Sequence, residues 1–360
     1  MDSLTQIALG AAVGEATLGS KVSKKAPLWG AALGTLPDLD VLANPFVSEM
    51  AALAIHRGFT QTLLFIALAT PLLGMALHRL HAQDGASTRG WGLLVFLTLS
   101  THVVIDCMTS YGTQVFYPFS DYPVIFGTIF VIDPLYTLPL LLGLIVALFY
   151  APSSRRRRIA NYIGIGLSSA YLLATVANKL YIDTVFAQAL DRQGHVVERV
   201  FTKPMPLNNL FWGAIAEDST GFWIGYYSVL DDSDHIDFQR VPKNHDLLGD
   251  ARDTEAVARL QWFSRGYFTV SQRNDRLYVH DLRFGRSDFG VGTGAAPYVF
   301  TFRLIEGARG TVSGFVQTDP AFQLDAETVR RYVDRVAGTD RRSTTAHRPL
   351  AAPPKHVDGS

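Results

Sequence analysis

Long apolar runs fill the first half of the chain, whereas short alternating runs fill the second half. The four longest runs begin at Leu63, Trp91, Pro134 and Ile159. Each is close to the ~20 residues that a helix needs to cross a bilayer. Two shorter apolar segments, 4–18 and 27–36, precede them and predict either tilted helices or a re-entrant hairpin. The pattern therefore predicts an α-helical membrane domain with four to six membrane helices.

Beyond Ile182 the apolar residues occur in short runs, such as FWIGYYSVL, GYFTVSQ and YVFTFRLIEG. Aromatic and β-branched runs separated by Gly, Asp and Asn are typical of antiparallel strands. The segment DTEAVARLQWFS between them has an aspartate cap and helical spacing. We therefore expect a helical membrane domain over 1–182, a smaller α+β domain with an antiparallel sheet over 183–337, and a disordered, proline-rich tail over 338–360.

Composition narrows the class of protein. Hydrophobic residues make up 48% of the 360 and charged residues only 18%, which fits a chain that lies partly in lipid. Basic and acidic residues number 32 each, so the chain lacks the basic field of a nucleic-acid binder. The single cysteine, Cys107, excludes an internal disulfide framework and a multi-cysteine zinc site. We expect membrane lipids as partners and no nucleic acid, and the sequence predicts no particular protein partner.

Basic loops predict the orientation in the membrane. If the four long runs cross in alternation, the loop 79–89 and the stretch SSRRRR (153–158) lie on one side. Basic loops stay cytoplasmic. The opposite side then receives the segments PDLD and HRG, the end of the second long helix and everything after residue 182. We expect a multi-pass protein of the bacterial inner membrane with an extracytoplasmic C-terminal domain.

Two of the polar segments on that side contain candidate metal ligands. In GTLPDLDVL, Asp38 and Asp40 can both turn toward one cation, with an ordinary solvated turn as the alternative. In LSTHVVIDCM, His102 and Asp106 are four residues apart and share one helical face. This spacing makes a half-site for zinc or manganese. The alternative is a buried His–Asp pair that ties helices together.

The stretch HRGFTQTLLF puts His56 and Arg57 at the mouth of an apolar run. His56 would add a metal ligand, and Arg57 offers a planar fork for a phosphate. Snorkelling at the lipid interface is the alternative for Arg57. Acids, histidines and an arginine at helix ends on one membrane face are the composition of a metal-dependent hydrolytic site.

The segments PDLD, HRGFT and THVVIDCMTSYGTQVFYPFSD resemble the signature blocks of the YdjM-type inner-membrane family, a group of metal-dependent hydrolases distantly similar to the zinc-dependent phospholipase C and nuclease P1 group. The resemblance covers roughly residues 1–180. It implies a divalent metal, with zinc expected and manganese as the alternative. We also expect catalytic roles for Arg57 and Asp40. The metal ligands that the resemblance implies are Asp38 or Asp40 together with His56, His102 and Asp106, and we take both aspartates as candidate ligands.

Two positions depart from the family pattern. Relatives carry a histidine where this chain has Gln61, in HRGFTQT, and many carry another where it has Gln6, in LTQIA. A neutral amide oxygen is a poor zinc ligand. We therefore expect a membrane-bound metal-dependent hydrolase that acts on a phosphoester, which a lipid could carry. A non-catalytic scaffold or binding protein with a degenerate metal site is the alternative.

Overall fold

The N-terminal part of the protein is helical. The computed structural model describes residues 1–292, 296–307, 311–319 and 325–339, so the predicted tail over 338–360 lies outside them except for its first two residues. The helices of this part are α1 (Ser3–Val22), α2 (Lys25–Thr35), α3 (Glu49–Ile55), α4 (Leu63–Leu80), α5 (Thr88–Met108), α6 (Pro134–Leu148) and α7 (Arg155–Arg192). A 3-10 helical segment, Leu36–Phe46, joins α2 to α3.

The four long apolar runs form helices, as the sequence predicts. Three of them, α4, α5 and α7, are long and apolar enough to cross a membrane, and α6 is a shorter apolar helix of 15 residues. Side chains at their N-termini accept backbone N–H bonds, including Thr62 before α4 and Ser87 before α5. Because Thr62 directly precedes the apolar run, α4 begins at the residue where that run begins.

The two short N-terminal segments form a tight helical hairpin. Gly10 and Gly14 of α1 face Gly30 and Gly34 of α2, and a Cβ added to Gly30 would lie 2.1 Å from the carbonyl oxygen of Gly10. Small residues spaced by four let membrane helices approach this closely. Helix α1 also packs against α5, α6 and α7, so it runs through the interior of the bundle. The hairpin therefore places the start of α1 beside the end of α5.

Helix α7 connects the two parts of the molecule as one continuous helix of 38 residues. It passes through the predicted domain boundary at Ile182 without a break. Its last turns bury Phe186 and Ala189 in one core with Trp212 and Tyr227 of the following sheet. The division at residue 182 stays a prediction, since the helix belongs to both sides of it.

The described residues after α7 form two four-stranded antiparallel sheets, in the orders β1-β2-β3-β4 and β5-β6-β7-β8. The strands are β1 (Arg199–Pro204), β2 (Phe211–Glu217), β3 (Gly221–Ser228), β4 (Phe238–Pro242), β5 (Phe268–Arg273), β6 (Arg276–Arg286), β7 (Tyr298–Glu306) and β8 (Val312–Thr318). Two helices accompany them, α8 (Glu255–Ser264) and α9 (Ala326–Val336). The predicted fold class is confirmed, with two sheets where the sequence pattern indicates one.

The two ends of the helical bundle differ in charge. At one end, Lys25 of α2 binds Asp84 at 2.6 Å in the loop after α4, and Arg157 of α7 binds Glu15 of α1. The basic segments of the sequence gather at this end. At the other end, the start of α1, the end of α2 and the end of α5 meet. The candidate polar residues lie there, opposite the basic segments.

Candidate metal centre

The end of α5 carries the centre of the candidate site. His102 and Asp106 lie one turn apart on the same face of this helix and are 1% and 0% exposed. Asp38 reaches them from the 3-10 segment that follows α2. One ligand atom from each of the three side chains lies within 4.8 Å of the others. The three residues are therefore close enough to hold one metal ion.

A backbone carbonyl fixes the orientation of His102. Its Nδ1–H donates to the carbonyl oxygen of Gly34 at 2.7 Å, which leaves Nε2 facing the carboxylates. Nε2 lies 3.3 Å from Asp38 Oδ1 and 3.5 Å from Asp106 Oδ2. A ring nitrogen between two carboxylates is stabilised by a proton, a cation or an N–H donor beside it. Histidine ligands of metals are oriented in this way, with the second ring nitrogen donating to a carbonyl or carboxylate.

Asp40 and His56 form a separate pair beside this group. Asp40 Oδ1 lies 3.1 Å from His56 Nδ1, and Oδ2 accepts the backbone N–H of Arg57 at 2.8 Å. The side chain of Asp40 is 3% exposed, whereas that of His56 is 27% exposed and lines a small pocket. Among the described residues, the structure thus gathers three of the five predicted ligands and pairs the other two next to them.

Arg57 contacts both the Asp40–His56 pair and the group formed by Asp38, His102 and Asp106. Its Nε lies 3.3 Å from Asp106 Oδ2, and its Nη1 donates to Thr109 Oγ1 at 3.0 Å. The guanidinium carbon lies 4.9 Å from the centre of the Tyr111 ring. Arg57 is only 5% exposed, so it is buried within the protein rather than snorkelling at the lipid interface. It therefore neutralises part of the charge on Asp106.

Both glutamines that depart from the family pattern also reach the group. Gln6 Nε2 donates to Asp106 Oδ1 at 3.0 Å. Gln61 Nε2 donates to Asp38 Oδ1 at 3.0 Å and lies 3.1 Å from His102 Nε2. Gln6 and Gln61 are 1% and 0% exposed. The two amides therefore lie where direct ligands of a bound ion would lie.

Several buried atoms at the site have no hydrogen-bond partner within the described part of the chain: Gln6 Oε1, Gln61 Oε1, Asp106 Oδ2 and Arg57 Nε. Asp106 Oδ1 also accepts from the ammonium group of Met1. Buried polar atoms nearly always find partners, and the contacts of Asp106 Oδ2 with Arg57 Nε and His102 Nε2 are long, at 3.3 and 3.5 Å. These oxygens therefore retain acceptor capacity that a cation can use. Carboxylates, an imidazole and amide oxygens are a donor set that divalent cations use. The residues present therefore fit a metal ion.

The C-terminal domain covers this end of the bundle. Leu53 of α3, which shortly precedes His56, lies in one hydrophobic core with residues of α8 and of the β5–β8 sheet. Trp262 and Phe263 of α8 line the pocket beside His56, together with Tyr111. Burial raises the pKa of Tyr111 to about 12, so its hydroxyl stays protonated. Both parts of the molecule therefore shape the space next to His56.

Sequence reasoning missed the groups that position these side chains. They include the carbonyl of Gly34, the hydroxyl of Thr109 and the indole of Trp262. One signal was available, because glycines spaced by four occur in both α1 and α2 and predict close packing of the two helices. That packing brings Gln6 and Gly34 to the end of α5. No local pattern predicts the contact with α8.

Membrane-length helices and a buried Asp–His–Asp group at one end define a multi-span membrane protein with a possible metal site. The profile of the YdjM inner membrane protein family matches residues 1–182. The chain belongs to this family, and the predicted resemblance is confirmed. The matched residues include every candidate site residue.

Two curated relatives extend the comparison. The inner membrane protein YbcI of Escherichia coli (strain K12) is 37% identical over 107 residues, which cover 29% of this chain and 60% of YbcI. The chain thus spans less than two thirds of that relative. The uncharacterized protein YfhP of Bacillus subtilis (strain 168) is 25% identical over 305 residues, 79% of this chain and 87% of YfhP. No solved structure matches the chain at a significant level, so the likeness to phospholipase C and nuclease P1 stays a prediction.

Proposed function

We propose that this protein is a membrane-bound metal-dependent hydrolase that acts on a phosphoester. Asp38, His102 and Asp106 hold a divalent cation, and the family resemblance makes zinc the expected metal. The observation that supports the proposal most strongly is the orientation of the His102 ring. Its Nδ1–H is committed to a carbonyl, so Nε2 points its lone pair between two carboxylates.

A bound cation supplies a Lewis acid and a water of lowered pKa. The chain contributes the rest of the chemistry. Asp40 orients His56, which faces the pocket and can take a proton there. Arg57 lies against Asp106 and Thr109, its Nε makes an ion-pair contact with Asp106 without a hydrogen bond, and the guanidinium stabilises negative charge that develops nearby. We assign Asp40 and Arg57 the catalytic roles that the sequence analysis predicts.

A phosphoester carried by a lipid is the substrate class that suits the position of the site. The loops that carry the site residues also expose large aromatic side chains, with Phe46 87%, Phe119 88% and Phe59 46% exposed. Aromatic residues of this kind favour the lipid–water interface. We propose that membrane lipids surround the site, and we propose no nucleic-acid partner because the charges of the chain balance.

The proposed topology follows from charge. The end of the bundle with Lys25 and Arg157 faces the cytoplasm, and the site with the C-terminal domain faces the other side. The test is labelling of cysteines introduced at exposed Leu230 and at Arg156 with an impermeant reagent in intact spheroplasts. Labelling at Leu230 alone is expected. Labelling at Arg156 alone would reverse the orientation.

A second candidate function is a non-catalytic scaffold in which the same group is a structural network. The observation that favours it is the set of donors around the carboxylates, since Arg57 faces Asp106 and Gln61 donates to Asp38. In that case a second proton on His102 replaces the cation between the two acids. The two candidates differ in whether the purified protein binds metal.

The experiment compares His102→Ala with His81→Ala, a histidine at the opposite end of the bundle that stacks on Trp91. Metal content is measured by mass spectrometry on detergent-purified protein, and hydrolysis is measured with a chromogenic phosphodiester. We expect His102→Ala to lose metal at least about tenfold and to lose hydrolysis, while His81→Ala retains both. Arg57→Lys should keep metal but lose turnover about tenfold or more, because it loses the planar fork.

Stability is followed in the same samples by thermal unfolding in detergent. His102→Ala should unfold within a few degrees of the wild type, because membrane helices are held by packing along their length. Metal content that is equal in wild type and His102→Ala would contradict the metal site. Bound metal without hydrolysis of any phosphoester would favour the scaffold.

A further inference from the structure

We propose that Gln6 and Gln61 are direct oxygen ligands and that they make the site selective for an oxygen-preferring divalent cation, Mn²⁺ rather than Zn²⁺. This inference rests on the proposed function, because it assumes that Asp38, His102 and Asp106 bind a cation. It concerns which cation they bind.

The first argument for direct ligation comes from the positions of the two glutamine amides. Both side chains are almost wholly buried, and each amide end points at the group. Gln61 lies against Asp38 and His102, and Gln6 lies against Asp106, all at 3.0–3.1 Å. They come from different elements, α1 and the short segment before α4, so they approach the group from separate directions. Asp106 Oδ1, which accepts from Gln6, also accepts from the ammonium group of Met1.

The second argument comes from the amide oxygens of the two glutamines, which have no hydrogen-bond partner among the described residues. Nε2 of each glutamine donates to a carboxylate, whereas Oε1 of each is buried without a partner. A rotation of 180° about the last side-chain torsion exchanges the nitrogen and the oxygen without changing the shape of the amide. The N–H groups neutralise the acids in one orientation, and the oxygens face the space between the acids in the other. Each glutamine thus presents either N–H donors to the acids or a carbonyl oxygen to a cation between them.

The chemistry of the donors carries the third step. With both amides included, the site offers two carboxylates, two amide oxygens and one imidazole nitrogen. Zinc favours sites with nitrogen and sulfur ligands, whereas carboxylate and carbonyl oxygens suit manganese and magnesium. The single imidazole favours manganese over magnesium, which rarely accepts nitrogen. The ligand set therefore points away from the zinc that the family resemblance predicts.

The test measures dissociation constants for Mn²⁺ and Zn²⁺ separately, by equilibrium dialysis of the full chain after chelator treatment in detergent. Zinc binds most sites more tightly than manganese, so the decisive quantity is the change in the ratio of the two constants. The double variant Gln6→His, Gln61→His replaces oxygen by nitrogen at both positions. The matched control is Gln193→His, because Gln193 is bound to Ile236 in the C-terminal part, away from the site.

We expect the double histidine variant to shift the ratio toward zinc by about tenfold or more, and the control to shift it less than about twofold. Gln61→Leu, which removes the oxygen at similar size, should weaken Mn²⁺ binding about tenfold. Gln61→Glu serves if the double variant does not fold, since it keeps the shape and should strengthen Mn²⁺ binding.

The outcomes separate the inference from the proposed function. If Gln61→Leu and Gln61→Glu both bind metal with dissociation constants within about twofold of wild type, the role of the amides is overturned and the metal site is retained. A ratio that the double variant shifts no more than Gln193→His does would also overturn it. Absence of Mn²⁺ and Zn²⁺ binding in wild type, with no effect of His102→Ala, would overturn the proposed function itself.

Discussion

The helical bundle contains two buried clusters of charge, and they are built differently. At the basic end, Arg157 of α7 binds Glu15 of α1 through two parallel hydrogen bonds of 2.6 and 2.7 Å. Arg157 also donates to the carbonyl of Tyr150 at 3.3 Å. At the other end, the contacts of Asp38, His102 and Asp106 are mostly longer, and several buried atoms there have no hydrogen-bond partner among the residues that the structure describes. Within those residues the first cluster has its hydrogen bonds made, whereas the second does not.

The difference separates a structural role from a functional one. A charge pair in a low-dielectric interior is stable only when its geometry is good and its remaining hydrogen bonds are made, and the Glu15–Arg157 pair meets that condition. The site around His102 does not meet it with the atoms of the chain alone. Ionisable groups inside a membrane are costly, so a cluster left incomplete there needs a ligand to balance its cost. Incomplete pairing is therefore a stronger indication of function than burial of charge.

The largest expected effect comes from breaking the complete cluster. Arg157→Met should destabilise the protein by about 3–5 kcal/mol, because it leaves the Glu15 carboxylate buried without a partner. The double variant Glu15→Leu, Arg157→Met should recover most of this loss, since it removes both charges. Thermal unfolding in detergent measures both effects. Metal content should stay unchanged in folded protein, because Glu15 lies roughly 13 Å along α1 from Gln6.

Loss of metal in the double variant, at unchanged stability, would contradict the separation of the two clusters. It would mean that the ion pair at the basic end sets the position of α1 at the site. An Arg157→Met protein as stable as wild type would instead show that the pair contributes nothing to assembly.

An intermediate effect is expected from the glycine contact that connects the two ends. In Gly30→Ala, the added Cβ would lie 2.1 Å from the carbonyl oxygen of Gly10, so α1 and α2 must separate. We expect a loss of about 1–3 kcal/mol and, because Gly34 moves away from His102, a fall in metal affinity of about tenfold. The control is Gly166→Ala in α7, where an added Cβ meets nothing within 4 Å. Equal behaviour of the two variants in unfolding and metal titration would contradict this role of the hairpin.

The smallest effect concerns a buried histidine whose ring nitrogens contact neutral groups. His280 of β6 is 6% exposed, and within the described part of the chain its ring nitrogens contact the hydroxyls of Ser271 and Thr301. Burial lowers its pKa to about 4. Because the folded state then binds fewer protons than the unfolded state between pH 6.5 and pH 4, its contribution is present above about pH 6.5 and is lost as the pH falls toward 4.

Stability should therefore fall by about 1–2 kcal/mol between pH 7 and pH 5, and His280→Gln should flatten this dependence. Thermal unfolding at several pH values measures it, with the exposed His235→Gln as control. Burial also lowers the pKa of His245, so part of the slope should remain in His280→Gln. A slope that His280→Gln leaves unchanged would mean that folding does not change the pKa of His280.

Much of the fold follows from local pattern. The run from Leu63 gives α4 directly, and the spacing of His102 and Asp106 gives their common helical face. Strand β2 could not be predicted in this way, because all seven of its residues are buried and no alternation marks its faces. The second sheet likewise depends on which hairpins pair, and that is a property of the assembled domain.

The candidate site was predictable only in part. Asp38 and Asp40 are two residues apart, and the sequence cannot tell that the 3-10 segment turns one toward His102 and the other toward His56. Gln6 lies about a hundred positions from Asp106, so its contact arises from helix packing alone. Sequence reasoning identified both glutamines by comparison with a family pattern. Their buried, unpaired oxygens are visible only in three dimensions.

The uninterrupted α7 helix also sets both the distance and the angle between the helical bundle and the β-sheets. Its 38 residues span about 57 Å, well beyond the ~30 Å of a bilayer core, so it fixes the height of the β-sheets above the lipid. Each residue turns the helix by about 100°, so adding or removing one residue between the two parts would swing Trp262 away from His56. Homologues that share both parts are therefore expected to conserve the length of this helix.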